Sequence, residues 1–261
     1  MNEHSLVPNK STKILPSEGP SRAELGVSSA ELLVFVMDGS GSMLEPKTYD
    51  GKPKIDHLWD IVKAVLERLN TSSKRGTFRV SFIYFSEKPI LEEVGGAIYF
   101  PVDVALNHLK KATDVAGSGN TWIAGAVAKA GDVIDTFSGD IGVPKEKYAT
   151  VFLFTDGLVT VGTNADVENE AKKLLSRTDP ITTIATISFG LDADENLLKK
   201  IASRPKDIQL QVLDKAGVIS ELPDPNTLFV QGHAQGELTK TKAQVIRNFV
   251  ETLSLTKLGF R

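Results

Sequence analysis

Short apolar runs alternate with amphipathic stretches along most of this chain. The run from Leu32 to Met37 is apolar at every position, as expected of a strand covered on both faces in a parallel sheet. The stretch 56–69 then has apolar residues at the spacing of a helix that buries one face. This alternation continues to residue 213. It predicts an α/β fold with a doubly wound, mostly parallel central sheet, helices on both faces and one antiparallel edge strand.

The same pattern predicts the individual elements. Strands are expected at 32–37, 78–85, 150–155, 182–189 and 208–213, with an antiparallel or edge strand within 90–100. Helices are expected at 56–69, 104–112, 123–137, 166–177, 194–202 and 239–253. Asp192 or Asp194 should lie near the cap of the fifth helix. The last helix should pack on the sheet, with docking to a partner as the alternative, and residues 214–236 are assigned no regular structure.

The chain length fits one large domain with tails. At 261 residues and 28.2 kDa, we expect a domain over 29–256 that includes the C-terminal helix. Residues 1–28 are polar and interrupted by prolines, which predicts a flexible tail, and 257–261 form a second tail. No apolar run resembles a signal-peptide core or a membrane-spanning helix. These features predict a cytoplasmic protein with no membrane association.

Charge and cysteine usage exclude several function classes. The formal net charge is -3, so the chain lacks the excess of Lys and Arg that a nucleic-acid binder needs. It has no cysteine, which excludes disulfides, thiolate zinc sites, iron–sulfur clusters and cysteine nucleophiles. The four histidines show no spacing typical of metal ligands or of a catalytic triad.

Oxygen-bearing side chains follow two of the predicted strands and one predicted loop. Asp38, Ser40 and Ser42 come directly after the first strand, and the glycines between them allow a tight turn. Asp156 ends another buried strand, and Thr121 lies on a glycine-rich loop before a helix. Hard cations such as Mg²⁺ prefer oxygen ligands. Each residue alone is more typical of a turn or a helix cap than of a metal site, but together they predict a metal site at the carboxyl edge of the sheet.

The three segments 38–43, 119–121 and 155–157 resemble the parts of the metal-ion-dependent adhesion site of von Willebrand factor type A (VWA) domains. Their order and separations also fit that family. In addition, 187–190 and 195–202 resemble the fifth strand of the family and the helix after it. The resemblance covers roughly residues 30–213, and it implies a metal-binding interaction domain.

The resemblance also implies a role for each site residue. Ser40, Ser42 and Thr121 would bind the metal directly, whereas Asp38 and Asp156 would act mostly through water or from behind the ligands. Mg²⁺ or Mn²⁺ is expected, with Ca²⁺ ranked behind both. Neutral hydroxyl ligands leave the cation electrophilic toward an outside carboxylate, so a partner protein would supply an Asp or Glu. Because two carboxylates repel each other without metal, we expect that removing either one leaves a folded and even a more stable domain.

Apolar and long side chains flank the predicted metal site, which suggests a contact surface with a polar rim. The alternative is that Trp122 and Leu158 fold back under the loops, since Trp is usually mostly buried. The loop 45–54 should stand beside the metal as a specificity element or as a solvated linker. The expected rim residues are Met43, Leu44, Tyr49, Trp122 and Leu158.

These features favour a metal-dependent, non-enzymatic adaptor. The chain is similar to intracellular bacterial VWA proteins, including those associated with tellurite resistance, with kinase and phosphatase partners, and with MoxR-type ATPases. That similarity implies a stress, signalling or assembly system. One alternative is a metal-dependent phosphohydrolase built on Asp38 and Asp156, although Ser40 stands where such enzymes carry a second acid. The other is a structural subunit whose site has no binding role.

Overall fold

The computed structural model describes residues 29–190, 193–233 and 238–256. Its strands are β1 Ser29–Asp38, β2 Phe78–Phe85, β3 Pro89–Leu91, β4 Glu146–Thr155, β5 Ile181–Ser188 and β6 Phe229–Gln231. Its helices are α1 Lys54–Asn70, α2 Val102–His108, α3 Ala112–Ala116, α4 Ile123–Gly139, α5 Asn164–Leu175, α6 Glu195–Ile201, α7 Asp207–Lys215 and α8 Lys240–Thr256.

The strands form one six-stranded sheet in the order β3-β2-β1-β4-β5-β6. Every neighbouring pair is parallel except β2 and β3, which are antiparallel at the edge. In the centre of the sheet, Met37 of β1 is in register with Tyr84 of β2 and with Phe154 of β4. The carboxyl ends of β1, β2 and β4 therefore meet at one edge of the sheet, as the alternating sequence pattern predicts.

Two apolar layers cover the sheet because side chains alternate along each strand. In β1, Leu33, Phe35 and Met37 pack with α1, α2, α3, α7 and α8. The alternate β1 residues, beginning with Ala30, pack with α4, α5 and α6 on the other face. Both faces of β1 are thus buried, which explains why its segment from Leu32 to Met37 shows no polar interruption.

Most of the predicted elements are confirmed, within a few residues at their ends. The expected edge strand within 90–100 is the three-residue β3, followed by isolated bridges such as that between Val80 and Phe100. The single helix expected at 104–112 is two short helices, α2 and α3. Asp194 caps α6 through a hydrogen bond from the backbone N–H of Leu197, while Asp192 lies outside the described residues.

The strand predicted at 208–213 is wrong, because this segment is helix α7. The alternating apolar residues 208, 210 and 212 mimic a strand, but the buried residues Gln209 and Leu213 are four apart and share a helical face. The Gln209 side chain also accepts a hydrogen bond of 2.8 Å from the backbone N–H of Lys206 at the start of the helix. The sixth strand is β6, within the segment 214–236 that the sequence leaves irregular.

The C-terminal helix α8 buries its apolar face, including Ile246 and Phe249, in the core on the α1 side of the sheet. This confirms the interpretation that it packs on the sheet. The predicted tails 1–28 and 257–261 lie outside the described residues, and the domain limits 29–256 stay a prediction. In the part of the chain that the structure describes, no helix is both long enough and apolar enough to span a membrane.

Candidate metal centre

Two buried aspartates stand at the carboxyl ends of neighbouring strands. Asp38 ends β1, and Asp156 follows β4 directly. The chain turns sharply at Gly39, whose backbone N–H donates to the carbonyl of Phe85 at 2.7 Å. A Cβ at this position would stand 2.7 Å from the carbonyl oxygen of Ala112, so only glycine fits between β1 and α3.

The carboxylate of Asp38 is held from two sides. The backbone N–H of Ser40 donates to its Oδ1 at 2.7 Å, and the hydroxyl of Thr155 donates to its Oδ2 at 2.6 Å. Burial raises the pKa of Asp38 to about 6, and the nearby charge of Asp156 adds to this, while hydrogen bonds from the Thr155 hydroxyl and from the backbone and side chain of Ser40 oppose it. The buried environment therefore disfavours a negative charge on Asp38. A cation nearby would stabilise that charge.

The hydroxyls of Ser40 and Ser42 lie together beside the second aspartate. Their Oγ atoms are 3.2 Å apart, and the Ser42 hydroxyl donates to Oδ1 of Asp156 at 2.6 Å. Ser42 belongs to a short 3-10 turn over Gly41–Leu44, and the backbone N–H of Met43 closes this turn on the Ser40 carbonyl at 3.0 Å. The turn thus presents the Ser42 hydroxyl to Asp156 and places the Ser40 hydroxyl next to it.

The other oxygen of Asp156 accepts a hydrogen bond from Lys54. The ammonium of Lys54 forms an ion pair with Oδ2 of Asp156 and also donates to the carbonyl of Ser42 at 3.3 Å. Lys54 is only 1% exposed although it is the first residue of α1. The site therefore contains one buried cation next to two buried carboxylates.

Thr121 reaches the same place from the loop before α4. Its backbone N–H donates to the hydroxyl of Thr160 at 2.6 Å, and its carbonyl accepts from the Thr160 N–H at 3.1 Å. A Cβ built on Gly157 would stand 3.4 Å from Thr121 Oγ1 and 3.7 Å from Ser42 Oγ. Gly157 thus leaves open a small space that both hydroxyls border.

These residues fit a hard divalent cation. The donors are three hydroxyls and two carboxylates, and oxygen donors are what Mg²⁺ and Mn²⁺ prefer. Among the described residues, no group of three or more His, Cys, Asp or Glu side chains could hold a metal ion. A metal at this edge of the sheet would thus depend on the serine and threonine hydroxyls that the sequence singles out.

The predicted rim divides into exposed and buried residues. Leu44, Tyr49 and Leu158 are 45%, 47% and 54% exposed, so they are available for contact. Met43 is completely buried in the core, and its expected place on the rim is corrected: its side chain anchors the 3-10 turn from below.

Trp122 is partly buried, as one of the two interpretations of the sequence expects. Its ring lies over Gly125 of its own helix, where a Cβ would stand 2.6 Å from Trp122 Cδ2. It borders a groove of about 660 Å³ between α4 and α5.

The loop 45–53 is folded back on itself beside the site. The hydroxyl of Thr48 donates to the Lys52 carbonyl at 2.6 Å, and a His57 ring nitrogen lies 2.8 Å from Oδ1 of Asp50. The two ends of the loop meet where the Lys54 N–H donates to the Glu45 carbonyl at 3.4 Å. This closure places the Lys54 side chain at the candidate site.

Sequence reasoning missed two residues of the site. The sequence places Lys54 at the end of the loop 45–54. The only local indication of a role at the site is its position at the start of the α1 pattern. Thr155 was noted as the last residue of a strand but not as a partner of Asp38. Both contacts join residues more than a hundred positions apart, so no local pattern contains them.

A comparison with protein-family models now adds to this geometry. The model for the von Willebrand factor type A domain matches residues 33–224, which is most of the chain. The chain belongs to the VWA domain family. No curated protein matches the chain in a sequence comparison.

Solved structures share the fold of this VWA protein. A von Willebrand factor type A protein from Catenulispora acidiphila is 18% identical, with a TM-score of 0.58 over 88% of this chain and 43% of that chain. Proximal thread matrix protein 1 from the mussel byssus, with a zinc-occupied MIDAS motif, is 16% identical, with a TM-score of 0.56 over 87% of this chain and 46% of that chain.

A third similar structure is the manganese-loaded TRAP protein of Plasmodium vivax. It is 18% identical, with a TM-score of 0.50 over 85% of this chain and 74% of that chain. At these identities the likeness shows the fold alone. This VWA chain spans less than half the length of the first two proteins, which carry further sequence beyond the shared domain.

Proposed function

We propose that this VWA domain binds a protein partner through a divalent cation, Mg²⁺ or Mn²⁺, held by Ser40, Ser42 and Thr121. VWA domains are generally interaction modules rather than enzymes. The observation that carries the proposal is that the Ser42 hydroxyl contacts buried Asp156, with the Ser40 hydroxyl 3.2 Å from it and Thr121 across the space at Gly157. Two proteins of similar fold, one named with a zinc-occupied MIDAS motif and one named as manganese-loaded, support the choice of a divalent cation.

The proposed role of each site residue follows from its charge. Ser40, Ser42 and Thr121 would be neutral direct ligands, so they would leave most of the positive charge on the ion. Asp38 and Asp156 would stand behind them, bound to Thr155, Ser42 and Lys54 as the structure places them. When bound, the cation supplies an electrophilic position that an Asp or Glu of the partner can complete.

The exposed residues around this position would form the contact. Leu158 and Leu44 present apolar surface, and Tyr49 presents an aromatic ring from the loop 45–53. Such a mixture of apolar and aromatic groups around a charged centre is typical of protein interfaces. The proposed role is an adaptor in a stress, signalling or assembly system of the cytoplasm, with an ATPase, a kinase or a phosphatase as its partner.

Two other functions remain as competing hypotheses. A phosphohydrolase would need a carboxylate free to attack phosphorus, whereas both oxygens of Asp38 and both of Asp156 already accept hydrogen bonds. Turnover of p-nitrophenyl phosphate with Mg²⁺ present would favour the enzyme over the adaptor. A structural subunit would bind its partner equally well with and without EDTA.

The first experiment is a calorimetric titration of the chain with MgCl₂ and with MnCl₂. The Ser40→Ala/Ser42→Ala double variant should lose affinity by about 10- to 100-fold, as is typical when groups that hold a metal are removed. The matched control is Ser72→Ala, which changes a hydroxyl after the end of α1. Unchanged affinity in the double variant would contradict the assignment of the hydroxyls as ligands.

A further inference from the structure

Lys54 is a buried cation at the end of the loop 45–54 that the sequence predicts beside the metal. Its ammonium contacts both halves of the candidate site, since it pairs with Oδ2 of Asp156 and donates to the backbone carbonyl of Ser42 at 3.3 Å. Burial of a lysine is unfavourable unless its charge is compensated. Asp156 is fully buried and provides that compensation, and Glu45 adds a second carboxylate 3.9 Å away.

The fold leaves space for this ion pair at the end of β5. A Cβ on Gly190 would stand 3.2 Å from Lys54 Nζ and 3.4 Å from the Cβ of Asp156. Any side chain at position 190 would therefore crowd the pair. The backbone hydrogen bond from Lys54 to Glu45 fixes the start of α1, from which the Lys54 side chain extends.

The two oxygens of Asp156 are used for different purposes. Oδ2 faces Lys54, while Oδ1 accepts the hydroxyl of Ser42 at 2.6 Å. The ammonium and the Ser42 hydroxyl thus bond to different oxygens of the Asp156 carboxylate. The ammonium holds the Asp156 carboxylate so that Oδ1 points toward Ser42. It leaves the three hydroxyls of the candidate site available to a metal ion.

We propose that Lys54 is a fixed counter-ion and positioning residue of the metal centre, which neutralises Asp156 in the metal-free protein and lowers the affinity for the divalent cation. The inference rests on the proposed function, because it concerns the same site. Without metal, Lys54 offsets the charge of one of the two adjacent carboxylates, so the empty domain stays folded. With metal, Lys54 repels the ion and reduces the net negative charge around it.

The effect of Lys54 on the charge around the metal ion also affects partner binding. A cation surrounded by less negative charge attracts an outside carboxylate more strongly, so Lys54 would shift part of the site's affinity from the metal to the partner's Asp or Glu. Neutral hydroxyl ligands and a fixed ammonium act in the same direction. The chain would therefore bind its metal less tightly and its partner more tightly than the same site without Lys54.

The test is the Lys54→Met variant, with Lys52→Met as the matched control from the exposed end of the same loop. In EDTA, the melting temperature of Lys54→Met should fall by about 10 °C, because Asp156 loses its partner. In saturating Mg²⁺ the deficit should shrink, and calorimetry should give a Kd for Mg²⁺ tighter by about tenfold. Lys52→Met should change neither quantity.

A merely structural lysine would give a different result. The melting temperature would then fall equally with and without Mg²⁺ and the Kd would stay the same or weaken, which would overturn the inference while leaving metal binding by the parent chain intact. If neither the parent chain nor Lys54→Met binds Mg²⁺ or Mn²⁺, the proposed function itself fails and the inference with it. These two failures are distinguished by the titration of the parent chain.

A second variant keeps the test decisive if Lys54→Met does not fold. Asp156→Asn removes the other charge, and the double variant Lys54→Met/Asp156→Asn removes both while keeping an acceptor for Ser42. The double variant should melt higher in EDTA than Asp156→Asn alone, because no unpaired charge remains buried. A double variant that is no more stable than Asp156→Asn would show that the two side chains are not coupled, and would overturn the inference.

Discussion

Lys54 and Asp156 form an ion pair that is almost completely shielded from solvent, at the edge of the sheet where β1 and β4 end. The pair makes the two aspartates of the site unequal. Asp156 has a cationic partner, whereas Asp38 is held by neutral donors, the Thr155 hydroxyl and groups of Ser40. From the sequence alone, Asp38 and Asp156 cannot be distinguished, and they are expected to be two carboxylates that repel each other.

The first prediction follows from this inequality. Asp156→Ala should destabilise the metal-free protein by about 3 kcal/mol, because the Lys54 ammonium is left buried without its carboxylate. Asp38→Ala should cost about 1 kcal/mol or less, since it removes a costly buried charge along with two hydrogen bonds. Urea unfolding in EDTA measures both. A stabilised Asp156→Ala variant would support the simpler expectation of mutual repulsion and contradict the role of Lys54.

The second prediction concerns the open space beside Gly157. Gly157→Ala places a methyl group 3.4 Å from Thr121 Oγ1 and 3.7 Å from Ser42 Oγ. The added group is in ordinary contact distance, so the fold should tolerate it, but it intrudes on the space between two proposed ligands. We expect a loss of Mg²⁺ affinity of about tenfold with little change in the melting temperature in EDTA.

The control for this variant is Gly76→Ala, since a Cβ at position 76 would meet nothing within 4 Å. It adds the same methyl group in a turn between α1 and β2. Equal Mg²⁺ affinity for both variants and the parent chain would show that the ion does not use the space beside Gly157.

The third prediction separates stability from binding on the rim. Leu158→Ala should change the free energy of unfolding by less than about 0.5 kcal/mol, because the side chain is more than half exposed. Trp122→Ala should cost about 2 kcal/mol, since its ring packs against Gly125 and the core on the α4 side of the sheet. Chemical denaturation of the two variants checks this. Equal costs would mean that the placement of Trp122 is wrong.

Much of the fold could be predicted because its central strands are buried on both faces. An apolar run such as 32–37 between amphipathic stretches indicates a strand that is buried on both faces. The amphipathic stretches themselves have the spacing of helices. The short strand β6 could not be recognised, because three residues carry no periodicity. Helix α7 was missed because its apolar residues alternate as they would in a strand, while the buried polar residue Gln209 looks like an exposed position.

The candidate site could be predicted in part for a related reason. Asp38, Ser40 and Ser42 form a local motif, and parallel strands bring their carboxyl ends to one edge. Lys54 could not be assigned to this site from the sequence, because its position depends on how the loop 45–53 closes. The rim position predicted for Met43 is wrong for a similar reason, because the direction of its side chain depends on the 3-10 turn over Gly41–Leu44.

The central claim is that Ser40, Ser42 and Thr121 hold a divalent cation that accepts a carboxylate from outside the domain. The most direct measurement is the relaxation of water protons by the Mn²⁺-loaded chain during titrations with acetate and with acetamide, its neutral analogue. The account predicts that acetate lowers the relaxation enhancement as it replaces water on the ion, that acetamide has little effect, and that the Ser40→Ala/Ser42→Ala variant shows no enhancement specific to this site. An enhancement that acetate and acetamide change equally, or that the double variant retains in full, would contradict the account.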